Sequence, residues 1–193
     1  MTPAVVSILT PVQKSDILRH LAELSGDDLW LRFGSHMRQS ALENYVNGID
    51  FASDRTLGIY DPELKLVGFT HVGIEPAKRC AELAISVSPE CRRRGYAEAM
   101  LRQALRHAAH MDLDQVYVYI RTANRPMMAL AGKAGFDIAI DGSEAVASKR
   151  VEKTPPQKQW WADAARSIAT RVARYKVSHL PEPPPSFRRG RAP

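Results

Sequence analysis

The strongest constraint in this sequence is a change of hydrophobic period around one turn. Residues Ala81 to Ser88 read as a strand closing on Val87-Ser88-Pro89. Residues Gly95 to about Met111 read as a helix with Ala97, Leu101, Ala104, Leu105 and Ala108 on one face. Between them lies Glu90-Cys91-Arg92-Arg93-Arg94-Gly95. A helix that starts just after a strand presents unpaired N–H groups and the positive end of its dipole at one place, which stabilises an anion. Gly95 lacks the side chain that would hold a phosphate off the backbone, and Tyr96-Ala97 follow in the first turn. The three arginines add charge, which suits a pyrophosphate better than a single carboxylate. Alone, such a turn is more often a solvated basic loop with a tight bend, so its weight depends on the elements around it.

Those elements are legible on both sides. Val5 to Leu9 is β-rich and stops at Pro11. Ser15-Asp16 offers a cap for a helix that carries Ile17, Leu18, Leu21 and Leu24 on one face. Ser25-Gly26 ends that helix, Asp27 to Phe33 is a short connecting segment, and a second helix runs from about Met37 to Ile49. Thr56 to Tyr60, Lys65 to Ile74 and Ala81 to Ser88 are short apolar runs divided by Asp61-Pro62-Glu63 and Glu75-Pro76, the pattern of an antiparallel meander. After the helix from Gly95 come a strand at Val116 to Ile120, a helix from the Asn124 cap to Ala134, and a hairpin from Phe136 to Ser148 around Asp141-Gly142-Ser143.

Composition decides where the charge belongs. The chain carries 27 Lys/Arg and 21 Asp/Glu, yet residues 151–193 alone hold 9 basic and 3 acidic residues. The first 150 residues are therefore neutral overall, and a basic pI is no argument that the globular part binds nucleic acid. An apolar fraction of 45% is enough for a sizeable core. No run approaches the roughly 18 to 20 apolar residues of a membrane span, and no secretory pattern opens the chain. With two cysteines, a disulfide scaffold is not expected and the cytosol is the default compartment. Beyond Thr154-Pro155-Pro156 an amphipathic helix is expected over about Gln159 to Lys176, with Trp161, Ala164, Ala165, Ile168, Val172 and Tyr175 on one face. Packing onto the domain or onto a second subunit as a homodimer is the favoured role for it, and a basic amphipathic surface for acidic partners is the alternative. Pro181 to Pro193 is Pro- and Arg-rich and expected to be disordered.

The strand ending Val87-Ser88-Pro89 and the turn Arg92, Gly95, Ala97 resemble the GNAT acyltransferases, whose signature is Gln/Arg-x-x-Gly-x-Gly/Ala after a strand ending Val-x-Pro. A second segment of that family, Asn followed some ten residues later by Lys-x-Gly-Phe, is matched by Asn124 and Lys133-Ala134-Gly135-Phe136. The resemblance spans roughly residues 4–150. It implies an α/β fold of α+β type with a mixed, mostly antiparallel central sheet splayed in the middle. The expected order is β-α-α-β-β-β-α-β-α-β-β with a C-terminal helical extension. With the composition shift after Thr154-Pro155-Pro156, the expected organisation is a domain over 1–153, the helical extension over 154–180 and the tail over 181–193. Acetyl-CoA would be the co-substrate, with no metal. By the same resemblance Ile85, Ser86 and Val87 would pair with the pantetheine arm. Arg92, Arg93, Arg94, Gly95, Tyr96 and Ala97 would hold the pyrophosphate, and Asn124 would contact the cofactor.

An amine acceptor is mostly protonated at neutral pH, so acyl transfer needs a base or a water relay. Glu82, at the start of the central strand, is the candidate base; a strand-end carboxylate facing solvent or an arginine is the competing reading. The Val87 N–H is the oxyanion donor that the resemblance implies. The tyrosine that many family members carry two residues before the lysine of Lys-x-Gly-Phe is replaced here by Ala131; Tyr119, Tyr96 or water could substitute as acid, and some relatives manage without a dedicated one. Tyr119, between Val118 and Ile120, is read primarily as core packing. Cys80 and Cys91 lack partners for covalent chemistry, His107 and His110 lack a third metal ligand, and His71 in mid-strand is read as structural. Leu24-Ser25 and Arg32-Phe33 resemble the corresponding segment of bacterial protein-lysine acetyltransferases. The acceptor is thus expected to be a primary amine, either a small molecule or a protein lysine. A non-catalytic acyl-CoA-binding regulatory module is the alternative, and no specific nucleic acid is expected.

Overall fold

A computed structural model describes residues 5–152. The helix and tail expected beyond residue 153 lie outside the described residues. Strand β1 (Ser7–Ile8) is followed by α1 (Lys14–Ala22), α2 (Gly26–Phe33) and α3 (Gln39–Asn47). The meander β2 (Arg55–Tyr60), β3 (Leu66–Glu75) and β4 (Cys80–Val87) comes next. Helix α4 (Tyr96–His110), β5 (Gln115–Arg121), α5 (Arg125–Lys133), β6 (Asp137–Asp141) and β7 (Glu144–Arg150) complete the domain. The seven strands form one sheet in the order β1-β2-β3-β4-β5-β7-β6. Every pairing is antiparallel except that of β4 with β5, where α4 supplies the crossover a parallel pair requires.

The expected order is corrected at one point: three helices, not two, separate β1 from β2. Ser25 does not merely end α1. Its Oγ accepts the Asp28 N–H at 3.1 Å and donates to the Asp28 carboxylate at 2.7 Å, a reciprocal cap that starts α2. Gly34, at φ +72°, terminates it, a conformation glycine adopts without strain. The helix is only eight residues long, so its apolar pattern is too short to reveal a period.

The alternation of β4 sorts the core. Ala81 and Leu83 turn to one face of the sheet, where Leu101, Ala104 and Ala108 of α4 pack with Val116, Val118 and Ile120 of β5 and with Ala131 of α5. The other face meets α1 and α3, with Ile17, Leu21, Leu42 and Val46 gathered around Phe69 of β3. No helix among the described residues is long and apolar enough to cross a membrane.

Candidate functional site

The parallel pairing that joins the two halves of the sheet is short. It runs through Cys80↔Gln115, Ala81↔Val116 and Glu82↔Tyr117 and stops. Beyond it β4 continues to Val87, held on its outer side by β3, and β5 continues to Arg121, held by β7. The two inner edges part into a wedge. Buried backbone N–H and C=O groups demand partners, so this wedge fits an extended chain that bears amides, inserted as a strand would be. It opens into a cleft of about 1190 Å³.

Ile85, Ser86 and Val87 line the β4 side of that cleft, and the phosphate-type turn lies at its end. Gly95 has φ +77° and a hypothetical Cβ there would meet nothing within 4 Å, so the position keeps open space against the backbone. It caps α4 without any side-chain hydrogen bond, which leaves the first-turn N–H groups of Tyr96 and Ala97 for a ligand. The three arginines divide their work. Arg92 Nε–H donates to the Val87 carbonyl at 3.2 Å, and its Nη2 pairs with Asp28 at 2.7 Å. Arg94 is not on the cleft wall; its Nη2–H donates to the Glu90 carbonyl at 3.0 Å. Arg93, also with positive φ (60°), lines the cleft and makes no ion pair among the described residues. Arg92 thus holds the turn to α2, while Arg93 is the cation in position to meet an anion.

Asp28, whose carboxylate accepts from the Ser25 cap of α2, also anchors that turn. Burial pushes its carboxyl up, and the hydrogen bonds from Ser25 and Arg92 outweigh this, leaving it below the usual carboxylate range. A second anchor was missed from sequence. His20 of α1 lies buried with Nε2 2.9 Å from Ser86 Oγ and Nδ1 3.3 Å from Ser88 Oγ. Burial lowers its pKa to about 4 despite the opposing pull of the Leu66 backbone and Glu23, so it is neutral near pH 7. Asn124 Oδ1 accepts the Met127 N–H at 3.1 Å as the cap of α5, so only its amide NH₂ is left to reach the cleft it lines.

Opposite the turn, the same cleft has a polar wall. Glu82 is exposed there and, unlike those of Asp28, Glu98 and Glu144, its carboxylate forms no ion pair or hydrogen bond among the described residues. Tyr119 corrects the core-packing expectation. Because Val118 and Ile120 both point inward, period-2 alternation sends Tyr119 to the other face, where it is 64% exposed and lines the cleft. Tyr96 lines it too, whereas Ala131 is fully buried and offers no group for proton transfer. Cys91 is buried, and burial pushes its thiol up, against a nucleophilic role.

The polar wall also holds side chains that the sequence gave no reason to group. Arg32 Nη2–H donates to Tyr45 Oη at 3.0 Å, Tyr45 Oη lies 2.8 Å from His71 Nδ1, and His71 Nε2 lies 2.9 Å from Asp54 Oδ2. Asp54 Oδ1 accepts the Ile74 N–H at 3.0 Å. Arg121 closes the β5 side: it donates to the Gly34 carbonyl at 2.9 Å, pairs with Glu144 at 2.9 Å and lies 5.1 Å from the Trp30 ring.

Known proteins share this fold. The family model described as acetyltransferase (GNAT) family matches residues 26–136. Among solved structures, the GNAT domain of S. lividans PAT is 16% identical with a TM-score of 0.64, over 75% of this chain and 89% of that one. A GNAT superfamily phosphinothricin acetyltransferase from Sinorhizobium meliloti, in complex with AcCoA, is 16% identical with a TM-score of 0.63, over 82% and 95%. Spermidine N-acetyltransferase from Vibrio cholerae, in complex with CoA and spermine, is 20% identical with a TM-score of 0.61, over 77% and 95%. At these identities the likeness is one of fold.

Proposed function

Since the chain belongs to the acetyltransferase (GNAT) family, we propose that it is an N-acetyltransferase that moves an acetyl group from acetyl-CoA to a primary amine by direct attack in a ternary complex. The acceptor is a small-molecule amine or a protein lysine. One observation carries this reading: β4 and β5 part beyond Glu82 and Tyr117, and the resulting wedge runs in a single cleft to the uncapped start of α4 at Gly95. An extended pantetheine arm fits the wedge as an added strand beside Ile85 to Val87, and the pyrophosphate fits the α4 start beside Arg93.

The chemistry then falls to side chains already in the cleft. Glu82, unpaired and exposed, takes the first proton from the ammonium, directly or through water. The Val87 N–H is the donor for the oxyanion as the carbonyl carbon becomes tetrahedral. Tyr119 and Tyr96 are the hydroxyls in the cleft available to protonate the leaving thiolate. The Vibrio cholerae relative, in complex with CoA and spermine, supports a small-molecule amine acceptor as an analogy of fold.

The test is thiol release from acetyl-CoA with a pool of amines, polyamines, aminoglycosides and lysine peptides. Release above the acceptor-free blank is the expected result. Confirmed acetyl-CoA binding without release from any acceptor would favour the non-catalytic acyl-CoA-binding module.

A further inference from the structure

We propose that Tyr45 takes the proton shed by the attacking amine and that His71 and Asp54 position it and carry that proton onward. The proposal rests on reading the cleft as an N-acetyltransferase site. Its members come from four separate segments: Arg32 from α2, Tyr45 from α3, Asp54 from the turn before β2, and His71 from β3. Arg32, Tyr45 and His71 line the cleft. In the β3–β4 register His71 faces Ala84, two residues beyond the last β4–β5 pair at Glu82. The network therefore opens where the wedge opens.

The hydrogen-bond pattern has a direction. A carboxylate only accepts, so His71 Nε2 carries the hydrogen that points at Asp54 Oδ2. Asp54 is itself fixed by the Ile74 N–H, which holds this tautomer in place. In the neutral ring Nδ1 is then bare, and the Tyr45 hydroxyl hydrogen is aimed at it across 2.8 Å. One lone pair of Tyr45 Oη receives the Arg32 N–H at 3.0 Å. The other is left for an N–H arriving from the cleft. Burial holds the Tyr45 phenol above its ordinary value, with Arg32 opposing and Glu82 and Asp54 reinforcing the rise, so the hydroxyl stays protonated at neutral pH and relays instead of ionising. Arg32, Glu82 and Asp54 are the charged groups that act on it most.

The step balances. The ammonium first gives one proton to Glu82 and solvent. As the amine nitrogen forms the C–N bond and the C–S bond breaks, its second proton passes to Tyr45 Oη while the Tyr45 proton moves to His71 Nδ1. The C–S electron pair stays on sulfur. The imidazolium faces the Asp54 carboxylate and sheds its proton to water, while Tyr119 or Tyr96 protonates the thiolate and is reprotonated from water.

Two measurements on the full chain test this. In the thiol-release assay with the amine and lysine-peptide pool, Tyr45→Phe should cut kcat by about 100-fold or more, with KM for acetyl-CoA changed by less than about twofold. Its rate should keep rising with pH where the wild-type rate levels off, and His71→Gln should show the same altered profile. A Tyr45→Phe rate within about threefold of wild type, with an unchanged pH profile, overturns the proposal. The imidazole nitrogen spectrum needs no acceptor. In its neutral form His71 should show a protonated Nε2 and a bare Nδ1, with the Nδ1 signal moving in Tyr45→Phe; a neutral ring protonated on Nδ1 overturns the relay. Wild-type binding of acetyl-CoA without thiol release would sink the transferase reading, and the imidazole spectrum would still decide the relay.

Discussion

The two ends of the cleft are made of different material. The end at α4 is built from backbone: a positive-φ glycine, the N–H groups of a helix start and the free inner edge of β4. The opposite wall is built from side chains, with Arg32, Tyr45 and His71 joined in one line, His71 held in turn by Asp54, and Glu82 on the same cleft. A backbone site depends on local conformation and tolerates changes in the side chains around it. A side-chain site depends on tertiary packing and changes with each residue. The first kind suits a constant ligand such as a nucleotide pyrophosphate, and the second a variable one such as an acceptor amine.

Substitution can separate the ends. The largest expected effect is at the backbone end. Gly95→Trp fills the space above the α4 start and forces an indole-bearing residue to φ +77°. Losing two or three charge-assisted hydrogen bonds at about 1.5–3 kcal/mol each should lower acetyl-CoA affinity by about 100-fold or more in calorimetry. The His71 tautomer should not change. If that variant binds acetyl-CoA normally, the phosphate end is misassigned.

Protonation tests two buried histidines, of which His20 anchors β4. His20 and His107 have folded pKa values of about 4, chiefly because burial penalises the charged ring. The unfolded imidazole titrates near 6.5. Between these values the unfolded chain binds more protons, so the stabilising contribution is complete above about pH 6.5 and is lost as pH falls toward about 4. Each ring accounts for roughly 3 kcal/mol across that window, read from urea unfolding at successive pH values. His20→Gln should remove one share of the slope and also weaken acetyl-CoA binding, because the Ser86 and Ser88 contacts go with it. A flat profile contradicts the neutral, buried assignment.

Smaller effects distinguish the arginines. Arg93→Ala should weaken acetyl-CoA binding about tenfold, with the difference shrinking at high salt. Arg94→Ala should leave it nearly unchanged, since Arg94 is off the cleft wall. Equal losses would erase the division of work among them. Asp28→Asn, which breaks a half-exposed pair with Arg92, should cost about 1 kcal/mol of stability or less, measured as a midpoint shift in denaturant.

The same contrast explains what could be read before the fold was known. The turn at Arg92 to Ala97 is legible because helix starts, strand ends and glycine act over a few consecutive residues. The sheet meander and α4 follow from periodicity for the same reason. Helix α2 was missed because Leu29 is its only fully buried residue, too little for a periodic signal. Tyr119 was misplaced because its two apolar neighbours were read as a buried run, when alternation sends the middle residue outward. Nothing local marks Arg32, Tyr45, Asp54 and His71 as a group, since each has an ordinary reading in its own segment and the line forms only when α2, α3 and β3 pack. Neither the tie of Arg92 to Asp28 nor that of His20 to Ser86 could be seen without the fold.

The most direct test of the central claim is an amide nitrogen–proton NMR titration of the full chain with acetyl-CoA. The account predicts that the largest shifts fall on Ile85 to Val87 and on Gly95 to Ala97, with smaller ones at Asn124, and that Gly95→Trp abolishes them. Saturable shifts centred elsewhere, with residues 85–87 and 95–97 unmoved, would contradict it.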